Sequence, residues 1–194
     1  LGIEAAIAFL SVAAHEAAHA LVASAYDLRV DSVELTPFGG VARLSGYMEQ
    51  DPYVEISVAL AGPASSFLLA GIATVLWRVG MLQGEAPSML IDINLLLGAA
   101  NLIPALPLDG GRVARASLSK RVGYRRATGL VGSIGKALAA GAVMLGTMLA
   151  LAGRLFPNLI VYGLFGYMFA SSEQKRVAYD SFSLMIRRKQ SLAK

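Results

Sequence analysis

His15-Glu16-Ala17-Ala18-His19 stands inside an apolar run, with Ala5-Ala6-Ile7-Ala8-Phe9-Leu10-Ser11-Val12-Ala13-Ala14 before it and Ala20-Leu21-Val22-Ala23 after it. Read as helix, the run puts His15 and His19 one turn apart on one face. Both imidazoles can then reach a single Zn²⁺, and Glu16 can address a water at an open coordination position. The plain alternative is two histidines and a glutamate on the polar face of a structural helix. The surroundings argue against it, because three ionisable groups among apolar residues are destabilising unless they serve a function.

Hydrophobic residues make up 56% of the 194-residue chain and charged residues 15%, with a mean hydropathy of +0.59. A soluble domain carries about 45–50% and about 25%, so a membrane protein is expected. No cysteine is present, which excludes a disulfide framework and a thiolate metal site and leaves His, Asp and Glu as ligands. The net charge of +4 comes from basic residues in two clusters, read as membrane-flanking charge; no nucleic-acid partner is expected. The chain opens at Leu1 without a Met or a basic signal segment, so a further piece upstream is expected.

A helical span needs ~17–25 residues, and segments 2–25, 56–77, 88–108, 127–153 and 155–171 are apolar enough to serve. The expected fold is therefore an all-α polytopic membrane protein of about five transmembrane helices. Segment 30–46 reads differently: Val30, Val33, Leu35, Phe38, Val41 and Leu44 have polar residues between them and are broken by Pro37 and Gly39-Gly40. That alternation predicts a small membrane-associated β-hairpin. Gly39 and Gly40 let another backbone approach closely, so the hairpin is either an ordinary surface feature or an edge for an extended peptide.

Segment 88–108 runs into Pro104-Ala105-Leu106-Pro107-Leu108-Asp109-Gly110-Gly111-Arg112, where two prolines and two glycines stop regular helix. Irregular backbone at membrane depth is tolerated only where protein buries it or it lines a wet cavity. Asp109 is thus the natural third metal ligand. Asp92 lies about a turn from the start of its span, within reach of interfacial water, and is read as structural.

Lys and Arg are retained on the cytoplasmic side of a membrane. Arg112, Arg115, Lys120, Arg121, Arg125 and Arg126 follow Asp109, and a second basic group runs from Lys175 to Lys194, whereas only Arg78 and Arg154 border the other turns. Residues 1–172 then form the membrane domain and 173–194 a basic cytoplasmic tail. Threaded this way, His15, His19 and Asp109 fall toward the same, cytoplasmic, side.

His15-Glu16-x-x-His19 together with Asn101-x-x-Pro104-x-x-Pro107-Leu108-Asp109-Gly110-Gly111 resembles the site-2 protease family of intramembrane zinc metalloproteases. Pro37-Phe38-Gly39-Gly40 and Ala61-Gly62-Pro63 sit where that family has related elements, and the resemblance covers roughly residues 1–130. Within the family the chain is most similar to the bacterial sporulation branch that processes the pro-sigma-K transcription factor, being compact, without an inserted PDZ domain and with a cytoplasmic-side site. That branch implies a six-span core whose first span would precede Leu1, and a C-terminal nucleotide-binding CBS domain that would follow Lys194. Many relatives carry asparagine in the Gly-Pro motif where this chain has Ser65-Ser66.

The resemblance implies a metalloendopeptidase holding one Zn²⁺ per chain through His15, His19 and Asp109, with Glu16 as general base. It implies substrate-binding roles for Asn101, Pro104, Pro107, Phe38, Gly39 and Gly40. The implied setting is a bacterial cell membrane, crossed several times, with the active site toward the cytoplasm. The implied partners are membrane lipid, a membrane-associated protein substrate such as a pro-sigma or anti-sigma factor, and a membrane-embedded inhibitor. Two other classes stand beside this reading. A zinc or proton transporter would also place His and Asp inside spans, but would normally show internal repeats, and none is found. A non-catalytic substrate-binding relative would lose its general base, whereas Glu16 is intact.

Overall fold

The computed structural model describes residues 2–26, 30–36, 39–44, 51–154 and 156–192, with side chains for 2–26, 51–154 and 156–179. In chain order the elements are α1 (Gly2–Ala25), β1 (Val30–Thr36), β2 (Gly39–Leu44), α2 (Pro52–Arg78), α3 (Ala86–Asn101), α4 (Asp109–Val122), α5 (Tyr124–Leu151) and α6 (Pro157–Leu192). They fall into two compact units, Leu1–Ile103 and Pro104–Lys194.

In the first unit α1 packs against α2 and α3. The alanine-rich sequence of α1 favours helix throughout. Asp51 caps α2 by accepting the Tyr53 N–H at 2.9 Å, and Pro52 opens the helix with the φ it needs. β1 and β2 pair antiparallel, with Val33 opposite Ala42, Glu34 opposite Val41 and Thr36 opposite Gly39. The apolar interior is rich in small side chains: Ala23, Ala59, Ala70 and Ala73 are buried beside Val58, while Phe9, Leu10, Leu21, Leu68 and Leu96 face outward. Large apolar groups outside and small ones within are what helices packed in lipid require.

Among the described residues three helices, α1, α2 and α5, are long and apolar enough to cross a membrane, and the chain is a multi-pass membrane protein. The expected span over 88–108 is helical only through Asn101; beyond it come turns to Leu108, where Pro104 and Pro107 withdraw backbone donors. At ~1.5 Å per residue the 16 residues of α3 reach about 24 Å.

In the second unit α5 packs along α6, and α4 against α5. The basic segment after Asp109 is helical, as α4, until Gly123 at φ +83° turns the chain into α5. Helix α6 runs on to Leu192 through the boundary expected at 172. The turn carrying Ala105 and Leu106 is buried and lies so close to Gly111 and Gly135 that a Cβ at either position would collide with its backbone. Arg115, almost wholly buried, donates to Glu173 Oε1 at 2.7 Å and lies 4.9 Å from the Tyr124 ring centre. Burial pushes the Glu173 carboxyl upward, but Arg115, its hydrogen bond, Arg112 and Arg176 outweigh that and hold it below the usual glutamate range.

Candidate metal centre

Helical spacing brings His15 and His19 together, with ring centres 4.9 Å apart and planes at 77°. Each ring is held from behind by α2. His19 Nδ1 lies 2.7 Å from the Val58 carbonyl oxygen; a carbonyl can only accept, so Nδ1 carries a proton, and in the neutral ring Nε2 keeps its lone pair. His15 is buried, with Nδ1 2.9 Å from Ser66 Oγ. Its neighbour Ser65 instead bonds within its own helix, to Gly62 O at 2.7 Å, so of the two serines in the Gly-Pro motif it is Ser66 that reaches the histidine.

Both Nε2 atoms come together over Gly62, where a Cβ would collide with each of them. A hydrogen at that Cα is what lets two imidazoles present their lone pairs to one small volume. Pro63 follows directly and has no N–H to offer the carbonyl of Ala59. Glu16, next after His15 on α1, is half-buried.

One turn before His15, Ser11 accepts a hydrogen bond from Asn94 Nδ2 at 2.9 Å, and the same amide group reaches Leu90 O at 2.9 Å. Ser11 and Asn94 are fully enclosed, so the face of α1 that carries the histidines is tied by polar groups to both α2 and α3. Asp92, two residues earlier, is exposed. Gly62 and Ser66 stood in the Gly-Pro motif of the sequence without an assigned role, and Ser11, Val58 and Asn94 were not singled out; for Ser11 and Asn94 the available signal was an isolated polar residue within an otherwise apolar span.

In the second unit Asp109 is the first residue of α4 and is buried, with Arg112 at 4.0 Å. A carboxylate there is favoured by the positive end of the helix dipole. The turn clamped against Gly111 and Gly135 directly precedes it. Pro104 and Pro107 in that turn are exposed. Asn101, at the end of α3, is half-buried and bonds back to Leu97 O at 3.0 Å. Gly39 and Gly40 open β2, and Phe38 lies outside the described residues.

The sequence matches the Peptidase family M50 model over residues 4–89 and 86–142. It is 34% identical over 186 residues to a zinc metalloprotease of Methanocaldococcus jannaschii, covering 93% of this chain and 52% of that protein. With stage IV sporulation protein FB of Bacillus subtilis it shares 30% identity over 118 residues, 61% of this chain and 41% of the relative. The chain thus spans about half the length of these relatives. The solved site-2 protease from Methanocaldococcus jannaschii superposes with a TM-score of 0.72 at 34% identity, covering 87% of this chain and 76% of that one. The paired imidazoles of His15 and His19, together with the zinc metalloprotease relative, fit one Zn²⁺.

Proposed function

The chain belongs to peptidase family M50, and from that premise we propose that it is an intramembrane zinc metalloendopeptidase whose metal is held by His15, His19 and Asp109. The observation that carries this reading is the approach of the two Nε2 atoms over Gly62, with Nδ1 of His19 bonded to Val58 O and Nδ1 of His15 to Ser66 Oγ. Partners on the far nitrogens are how proteins fix the tautomer and orientation of metal-binding histidines. When bound, Zn²⁺ acidifies water and polarises the scissile carbonyl.

The remaining work belongs to the chain. Glu16 takes the proton from the attacking water and delivers it to the departing amine nitrogen. Ser66 and Val58 O keep the two rings from turning. A substrate helix hides its carbonyls in its own hydrogen bonds, so the scissile segment has to be drawn out and held extended. An edge of the β1–β2 pair, near Gly39 and Gly40, supplies the backbone groups for strand addition, and Asn101, with the turn through Pro104 and Pro107, supplies a second hold. The substrate class is a membrane-associated protein, with sigma-factor precursors and anti-sigma factors the regulatory form suggested by similarity to the sporulation protein.

In this reading five segments cross a bacterial membrane: α1, α2, α3, α5 and the first part of α6. Residues 1–172 form the protease domain, and the basic segments 109–126 and 173–194 face the cytoplasm. The decisive experiment is Glu16→Gln, assayed by co-expression with a candidate substrate and by zinc content. Loss of cleavage with zinc retained supports the protease. Cleavage at the wild-type rate would refute the role of Glu16, and zinc transport that survives the change would favour a transporter.

A further inference from the structure

A groove of about 570 Å³ lies on the second unit beside the start of α5, lined by Val122, Arg125, Arg126, Thr128, Ser133 and Gln174, with Leu130 at its lower edge. Its floor is fixed. Gln174 Nε2 donates to Gly129 O at 2.8 Å, and the Gln174 side chain fills the notch over Gly132, where a Cβ would strike it. Thr128 and Ser133 spend their hydroxyl protons on the carbonyls of Tyr124 and Gly129. The groove is therefore left with two exposed guanidinium groups, Arg125 and Arg126. Glu173, the carboxylate adjoining Gln174 in sequence, is already matched by Arg115 at 2.7 Å.

Below the arginines the same helix turns apolar on one ridge. Arg126 heads a series at intervals of four, Leu130, Ile134 and Leu138, and all three apolar members have about half of their surface exposed. Helix α5 is a candidate span, so its arginine end sits at a membrane interface, where a charged head over an apolar stem is stable.

We propose that this groove binds one anionic phospholipid, its phosphodiester on Arg125 and Arg126 and an acyl chain along Leu130, Ile134 and Leu138. Planar guanidinium groups pair with phosphate oxygens through two parallel hydrogen bonds, and basic pockets between spans at an interface are suited to anionic headgroups. A free phosphate would satisfy the arginines and leave the apolar ridge unused. The ridge is what selects a lipid.

The test is native mass spectrometry of the whole chain, purified in mild detergent and titrated with phosphatidylglycerol or phosphatidylcholine. Each basic group near such a surface contributes roughly five-fold in affinity, so R125Q/R126Q should weaken the phosphatidylglycerol adduct about 25-fold. R187Q/R188Q, which removes the same charge far along α6, should leave it in place. Gly129→Leu is an independent plug, since a Cβ there meets nothing within 4 Å; it should exclude the lipid with both arginines present. Equal adducts with phosphatidylcholine, equal loss in R187Q/R188Q, full retention in Gly129→Leu, or displacement by excess inorganic phosphate would each overturn the proposal.

Discussion

The imidazole of His19 is bonded to the main chain of α2, Nδ1 to the Val58 carbonyl at 2.7 Å, so no side-chain substitution at residue 58 can delete the acceptor that orients it. His15 is different. Its support, Ser66 Oγ at 2.9 Å, is a side chain and can be removed alone.

Ser66→Ala should therefore weaken zinc binding by roughly 10–100-fold, the usual effect of losing the group that orients a metal-binding histidine. Ser65→Ala, which removes only a bond within α2, should leave affinity unchanged. Chelator competition measures both, and equal affinities for the two variants would remove Ser66 from the site.

Gly62→Ala places a methyl group against Nε2 of both histidines. Zinc content should fall sharply, by tenfold or more on the same scale, while the apo helix stays folded. Gly71→Ala in the same helix meets nothing within 4 Å and should be neutral or stabilising by about 0.5–1 kcal/mol. Zinc analysis and thermal unfolding of the pair separate a local obstruction from a general effect of alanine in α2.

Asp109→Ala should reduce zinc from one per chain to a loosely held fraction, with α4 retained, because three protein ligands are the usual minimum for a catalytic zinc site. Full zinc in this variant would move the third ligand elsewhere.

The Arg115–Glu173 pair makes stability depend on pH in a known direction. The folded carboxyl titrates below its usual value, so its contribution is complete above the unfolded glutamate's pKa, about 4.3, and is lost as pH falls through the lower folded value. Glu173→Gln should cost about 2 kcal/mol near neutrality, the scale of a hydrogen bond to a charged group. The gap from wild type should close as the medium is acidified below pH ~4. Unfolding is best followed in chelator, so that zinc release does not contribute. A gap independent of pH would show that packing, not charge, was lost.

The histidine pair was legible because helical periodicity alone sets its spacing, and the break in helix before Asp109 because Pro104 and Pro107 announce it. The supports of the histidines were not legible. Ser66 and Val58 O reach His15 and His19 across 51 and 39 residues, and such a pairing follows from how α1 crosses α2, which no local pattern encodes. Helix α4 was hidden for another reason: its first turn contains Gly110 and Gly111, poor helix formers by propensity. Gly111 is required there because the Ala105–Leu106 backbone lies where a Cβ would be.

An interior built of Ala23, Ala59, Ala70, Ala73, Ala116 and Ala127, with Leu21, Leu68, Leu96, Met144 and Leu151 outside, inverts the usual profile of mutational tolerance. In a soluble domain the damaging changes are deletions of large core side chains; at these alanine positions there is almost nothing to delete, and injury comes from added atoms. Alanine scanning would pass over most of them in silence. A scan that enlarges side chains, alanine to valine and glycine to alanine, would instead trace the helix contacts one by one.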